Sequence, residues 1–133
     1  YISRESASNK RNIINEAEVL KIISEFNIEV VYMEKLSLYE QIYLASNTSC
    51  LVGANGAGIL HSLFMPEKSL VIELFSPVYI AFVTTIGAVE LLKHNYFMLC
   101  SQAYQDYKYG TEHTAPIEVH LPILKVTLKN QLG

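Results

Sequence analysis

Short apolar runs alternate with helix-patterned stretches along the whole chain, and this alternation constrains the fold more than any single motif. Ile28 to Met33, Ser49 to Val52, Ser69 to Leu74, Tyr96 to Leu99 and Ile117 to His120 read as strands, with Tyr1 to Ser3 as the end of another. These strands are continuous hydrophobic runs rather than alternating ones, as expected of a parallel sheet covered on both faces. Between them, Val19, Ile22, Ile23 and Phe26 recur at helical spacing. Asn15 is placed to cap that helix, and Glu18 completes a capping-box-like pattern. Ser37 and Glu40 form a second capping box, opening a helix expected to bury Leu38, Ile42 and Ala45. Ile59 to Phe64 is a short helix ended by Pro66, and Val78 to Leu92 a longer one. Pro122 suits the first turn of a last helix reaching about Leu132. The expected fold class is α/β, a Rossmann-like three-layer sandwich with a parallel sheet.

At 133 residues, half of them hydrophobic and 17% charged, the chain is expected to form one domain, 1–133, with an ample core. The same figures exclude intrinsic disorder. A net charge of −3 leaves no basic stripe for a general nucleic-acid binder. Cys50 and Cys100 are too few for a disulfide scaffold. Asp106 is the sole aspartate, and the four histidines and two cysteines lack metal-ligand spacing, so no metal site is expected. Leu70 to Leu92 approaches the length of a membrane span, but Glu73, Ser76, Pro77, Thr84, Thr85 and Glu90 interrupt it. A strand, a turn and a helix explain it better. The opening Tyr1-Ile2-Ser3-Arg4 reads as the start of a piece cut from something longer.

In such sheets ligands bind where strands end at their carboxyl side and loops enter helices. Three features fall there. The loop Gly53-Ala54-Asn55-Gly56-Ala57-Gly58 carries three glycines, which allow positive φ and close approach of backbone N–H groups, and the helix after it points its positive end at the same space. Its Gly-x-x-Gly-x-Gly spacing is neither the dinucleotide fingerprint nor a Walker A loop, and a plain strand-to-helix turn explains the same residues. Arg4 stands at a strand end, with Lys10 and Arg11 nearby; arginine forks match phosphate oxygens, while Lys10 reads as a solvated surface residue. Glu73 is the one charge in an apolar strand, so its carboxylate must be paired, either in a structural ion pair or with sugar hydroxyls. Asn15 and Glu16 are open to either a capping or a site role. Asn47-Thr48-Ser49 is a formal sequon read as chance, and Tyr104, Tyr107 and Tyr109 read as a loop anchor. His61 receives no role.

Arg4, Lys10 to Glu16, Leu36 to Gln41, Val52 to Ile59, Leu63 to Pro66 and Val71 to Leu74 run in an order that resembles the glycosyltransferase 61 family, which includes capsular-polysaccharide transferases and O-linked GlcNAc and xylosyl transferases. The similarity is strong over residues 1 to about 100. It implies the carboxy-terminal, donor-binding domain of an inverting GT-B enzyme. By that resemblance Arg4 and Arg11 face the donor diphosphate, Asn15 and Glu16 support the pocket, Gly53, Gly56, Ala57 and Gly58 cradle the phosphates, and Glu73 lies near the nucleoside. The family usually has histidine where this chain has Asn55, which leaves a hydrogen-bond donor but no titrating group.

The implied reaction transfers a sugar from a nucleotide-sugar, a UDP-sugar above all, to a hydroxyl of a glycan or glycoprotein acceptor. No tightly bound cofactor is implied, and the acceptor groove and base belong to an amino-terminal domain not in this chain. Two other readings stay open: a non-catalytic nucleotide- or carbohydrate-binding domain derived from such an enzyme, and an unrelated Rossmann enzyme using a dinucleotide or methyl donor. A cytoplasmic setting of the bacterial polysaccharide type is favoured over the ER or Golgi lumen.

Overall fold

Three parallel strands form the continuous sheet in the computed structural model, which describes residues 1–5, 12–77, 83–101 and 115–133. They are β1 (Cys50–Ala54), β2 (Leu70–Phe75) and β3 (Asn95–Cys100), in spatial order β1-β2-β3. Leu51 lies opposite Val71, and Val71 opposite Tyr96. Two extended segments prolong the sheet beyond β1. Ile2 bridges Gly53 on one side and Val31 on the other, both in parallel. The Ile2 amide donates to Val52 O at 2.9 Å, Ser3 N to Val31 O at 3.0 Å, and Val31 N to Tyr1 O at 2.8 Å. The segment around Val31, then residues 1–3, β1, β2 and β3 therefore lie side by side. Strand order reverses between residues 1–3 and β1, which is the topological switch point of a doubly wound sheet.

Helices cover both faces. The side chains of Val52, Ala54, Leu70, Ile72 and Leu74 pack with Val19, Ile22 and Ile23 of α1 (Glu16–Glu25) and with Leu124 and Leu128 of α4 (Leu121–Leu132). Leu51 and Val71, pointing the other way, pack with Ile2, with Ala45 of α2 (Leu38–Ser46), and with Ile59 and Met65 in and after a 3₁₀ helix (Ala57–Phe64). α3 (Val83–Leu92) packs against that 3₁₀ helix. All six residues of β2 are buried, as a central strand covered on both faces requires. The architecture is the expected Rossmann-like α/β sandwich, and no helix among the described residues is long and apolar enough to cross a membrane.

Local expectations divide by how local their cause is. The Ser37–Glu40 capping box forms in full, with Ser37 Oγ accepting from Glu40 N and the Glu40 carboxylate accepting from Ser37 N at 2.7 Å. Those hydrogen bonds hold the Glu40 carboxyl below its ordinary value. Pro122 sits in the first turn of α4 as expected. Leu38 does not behave as expected: it is 69% exposed, because α2 turns Ala45 rather than its first residue to the core. Ile28 to Met33 is not a full strand, making a single bridge at Val31 before a 3₁₀ turn at Met33–Lys35. Ile117 to His120 likewise makes one bridge, from Ile117 to Ile13.

Asn15 departs from its expected role. Its side chain makes no capping bond to α1. Instead its Nδ2 donates to Val119 O and its Oδ1 accepts from Val119 N, both at 2.9 Å, imitating one rung of a β-ladder with a residue 104 positions away. An N-cap site accepts aspartate as readily as asparagine. Here the Nδ2 donor is indispensable, because a carboxylate oxygen facing the Val119 carbonyl would repel it. Asn15→Asp is therefore expected to lower the unfolding free energy by about 1–3 kcal/mol at neutral pH, measured by denaturant titration. An unchanged midpoint would return Asn15 to simple capping.

Candidate functional site

The site is assembled at the switch point, where the ends of two adjacent parallel segments open into loops. Ile2 stands level with Gly53, so the register carried forward brings Arg4 level with Asn55. Arg4 is half-buried. The residue before it, Ser3, is buried and donates its hydroxyl to Glu16 Oε1 at 2.7 Å, and the Tyr1 phenol donates to the same oxygen at 2.9 Å. Burial, reinforced by the Glu16 carboxylate, pushes the Tyr1 phenol well above its ordinary range, so it remains a donor. Glu16, the first residue of α1, thus fastens the strand end from which Arg4 emerges.

The glycines of the loop serve different purposes. Gly56 has φ 146° and ψ −169°, a conformation that a side chain would strain. Gly53 answers instead to close packing, while Gly58 has room for an ordinary contact. A Cβ on Gly53 would stand 3.2 Å from Ile59 Cδ1, and one on Gly58 3.4 Å from Ile2 Cδ1. The expected positive φ is therefore a property of Gly56 alone among the described glycines. Ala57 begins the 3₁₀ helix immediately afterwards, and the first N–H groups of a helix have no partner within it.

Asn55 is 5% exposed and its backbone N–H donates to Leu74 O at 2.8 Å. One amide hydrogen of its side chain is directed inward, to Glu73 Oε1 at 2.7 Å. Glu73 is fully buried in β2, and Thr85 Oγ1 of α3 donates to the same oxygen at 3.3 Å. Tyr96 of β3 donates to Oε2 at 2.7 Å. The carboxylate thus gathers neutral donors from the loop, α3 and the neighbouring strand, which answers the cost of burying a charge. Burial and the Glu73 hydrogen bond push the Tyr96 phenol above its ordinary range. Thr85 and Tyr96 were invisible as partners in the sequence. Only the register, with Val71 opposite Tyr96, brings Tyr96 onto the same face as Glu73, two residues along.

His61 also enters the site from behind. Its Nδ1 lies 2.8 Å from Gly58 O and its Nε2 2.9 Å from Gln41 Oε1. Arg11 and Lys10, and with them Tyr104, Tyr107 and Tyr109, lie outside the described residues. Among the described residues, no three His, Cys, Asp or Glu side chains gather as metal ligands.

The family model of glycosyltransferase 61 matches residues 1–72, from the first strand segment through the Gly-rich loop and into β2. The chain belongs to the glycosyltransferase 61 family. Curated relatives agree with it. The EGF domain-specific O-linked N-acetylglucosamine transferase of Drosophila melanogaster is 32% identical over 79 residues, covering 57% of this chain and 15% of its own length. The rat enzyme of that name is 38% identical over 72 residues, 50% of this chain and 14% of its own. Protein O-linked-mannose beta-1,4-N-acetylglucosaminyltransferase 2 of Xenopus tropicalis is 40% identical over 78 residues, 56% of this chain and 14% of its own. The chain thus spans about a seventh of the length of these glycosyltransferase 61 relatives. All are animal enzymes named for acting on proteins, which corrects the expectation of a bacterial, cytoplasmic polysaccharide setting.

The Glu73 cluster yields a direct test of how the loop is held. Glu73→Gln turns an –NH2 towards donors that now find a carboxylate. It is expected to cost about 1–3 kcal/mol of stability and to speed hydrogen exchange at the Asn55 amide. Unchanged exchange at Asn55 would show that the carboxylate does not hold the loop.

Proposed function

We propose that this chain is the donor-binding part of a glycosyltransferase that moves a sugar from a nucleoside-diphosphate sugar, a UDP-sugar above all, to a hydroxyl on a protein-borne acceptor. The observation that carries the reading is the juxtaposition of Arg4 with the Asn55–Gly58 loop at the switch point of the sheet. A guanidinium, the first N–H groups of a 3₁₀ helix and a turn open at Gly56 are the kinds of group that bind a diphosphate. The names of the relatives supply the transferred group, N-acetylglucosamine, and the protein acceptor.

The reaction we infer is a direct displacement with inversion. An acceptor oxygen, relieved of its proton by a base outside this chain, attacks the anomeric carbon while the nucleoside diphosphate leaves. The part played by these residues is electrostatic, opposing the negative charge that grows on the leaving phosphate. Arg4 supplies a full charge, Arg11 a second, and the loop amides supply oriented dipoles. Glu73 acts through Asn55 as the support beneath the loop. By itself the chain is expected to bind donor and to transfer nothing. EGF modules are disulfide-dense secreted domains, so an acceptor of that kind would put the full-length enzyme in the oxidising secretory compartment.

Titration with UDP-N-acetylglucosamine tests the reading. Arg4→Ala is expected to weaken binding roughly ten- to hundredfold, the worth of a charge-assisted hydrogen bond. Equal affinity in the two proteins would remove Arg4 from the phosphate site.

Asn55 favours a second reading, a non-catalytic binder of the same ligand. It stands where the family carries a titrating histidine, is nearly fully buried, and lends its amide to Glu73. Transfer assays on the full-length protein separate the two. The first reading expects transfer by the natural sequence, and activity confined to Asn55→His would establish the second.

A further inference from the structure

His61 has each ring nitrogen against an oxygen that can only accept. The Gly58 carbonyl lies 2.8 Å from Nδ1, and Gln41 Oε1 lies 2.9 Å from Nε2. The Gln41 amide cannot be reversed to offer an N–H, because its Nε2 already donates to Met33 O and Leu36 O, each at 3.0 Å. A neutral imidazole carries one N–H, and its other nitrogen would then meet an oxygen lone pair head on at under 3 Å. Only a ring protonated on both nitrogens satisfies both contacts. His61 is half-buried, so solvent makes up only part of any lost bond.

We propose that His61 is a positioning residue which, in its doubly protonated form, bridges the Gly-rich loop to α2 and so sets the phosphate-facing turn. The inference rests on the donor-binding reading above. Gly58 is the second residue of the 3₁₀ helix, and in the donor-binding reading the amides beside it are the groups offered to the phosphates. Through Gln41 the brace reaches Met33 and Leu36, the turn that introduces α2. When the ring loses a proton, one arm of the brace is lost and with it a positive charge behind the turn.

Among the described residues, several nearby titratable groups have partners of their own; His94, for one, places its Nε2 2.9 Å from Ser62 O of the same 3₁₀ helix. The Tyr1 amino group, Glu29 and Cys50 share a cavity of about 390 Å³ with His61. The amino group donates to Glu29 O at 2.6 Å, and burial pushes the Cys50 thiol up to about 11. On α2 the Glu40 carboxylate is held by Ser37, and on α3 Glu90, with Lys93 just after it, is exposed.

Long-range proton–nitrogen spectra of the ligand-free chain at about pH 7 are expected to show both His61 nitrogens protonated. UDP-N-acetylglucosamine is the binding probe, because its diphosphate diester does not titrate near neutrality. Its affinity is expected to fall about fivefold from about pH 6 to about pH 8.5, the effect of one ordinary hydrogen bond. His61→Gln keeps a side-chain N–H but cannot gain a proton, and its profile is expected to be flat. A singly protonated ring at about pH 7 overturns the proposal. So does a natural profile that His61→Gln reproduces. Absence of UDP-N-acetylglucosamine binding at every pH would sink the donor-binding reading, and the spectra would still decide the state of His61.

Discussion

Ile2 lies between two parallel partners, Val31 on one side and Gly53 on the other, and its side chain is buried between the sheet and the loop that follows β1. This insertion governs much of what surrounds it. It sets the strand order and so creates the switch point. It seats the Ile2 side chain against Gly58, where a Cβ would stand 3.4 Å from Cδ1. It also brings Arg4 out of the sheet beside Asn55. A one-residue slip of Ile2 would reverse the faces of Tyr1 and Ser3, whose hydroxyls both reach Glu16, and would shift Arg4 from its level beside Asn55. The geometry of the site is thus inherited from strand pairing rather than from the loop itself.

Around that pairing the protein builds a polar scaffold from two acids, Glu73 fully buried and Glu16 half-buried. Glu16 ties the first strand segment to the start of α1, and Glu73 ties the loop to α3 and β3. Each carboxylate gathers hydroxyl or amide donors from segments that are distant in sequence. In a low-dielectric interior such bonds are strong, and an unsatisfied carboxylate is costly, so the segments must arrive together. This accounts for Glu73 in a strand that is otherwise apolar. Glu16 holds the strand end that leads to Arg4, and Glu73 holds Asn55 in the loop.

How much was legible follows from how far each interaction reaches. The Ser37–Glu40 box could be read because both partners fall within one helical turn. The buried stripe Val19, Ile22 and Ile23 could be read because helical periodicity needs only its own segment. Asn15 had the right residue type for a cap, yet its partner Val119 arrives from the far end of the chain. Leu38 fitted the apolar pattern of α2, but the orientation of that helix was decided by the bed that Ile2, Leu51 and Val71 make for Ala45. Glu73 could be marked as needing a partner from its setting alone. That its partners are Asn55, Thr85 and Tyr96 depends on strand register, which no local pattern encodes. His61, passed over in the sequence, is defined by contacts to Gly58 and Gln41 that only the folded chain brings together.

By itself the sequence determined the α/β class, the parallel sheet, most helix positions and the family, because hydrophobic periodicity, capping residues and ordered motifs are local and additive. Tertiary structure alone decided the strand order, the inward turn of Asn55, the neutral cage around Glu73 and the two acceptors facing His61. The physical reason is that a hydrogen bond or a packed Cβ has a reach of a few ångströms. Which atoms come within that reach is settled only when segments up to a hundred positions apart are set side by side.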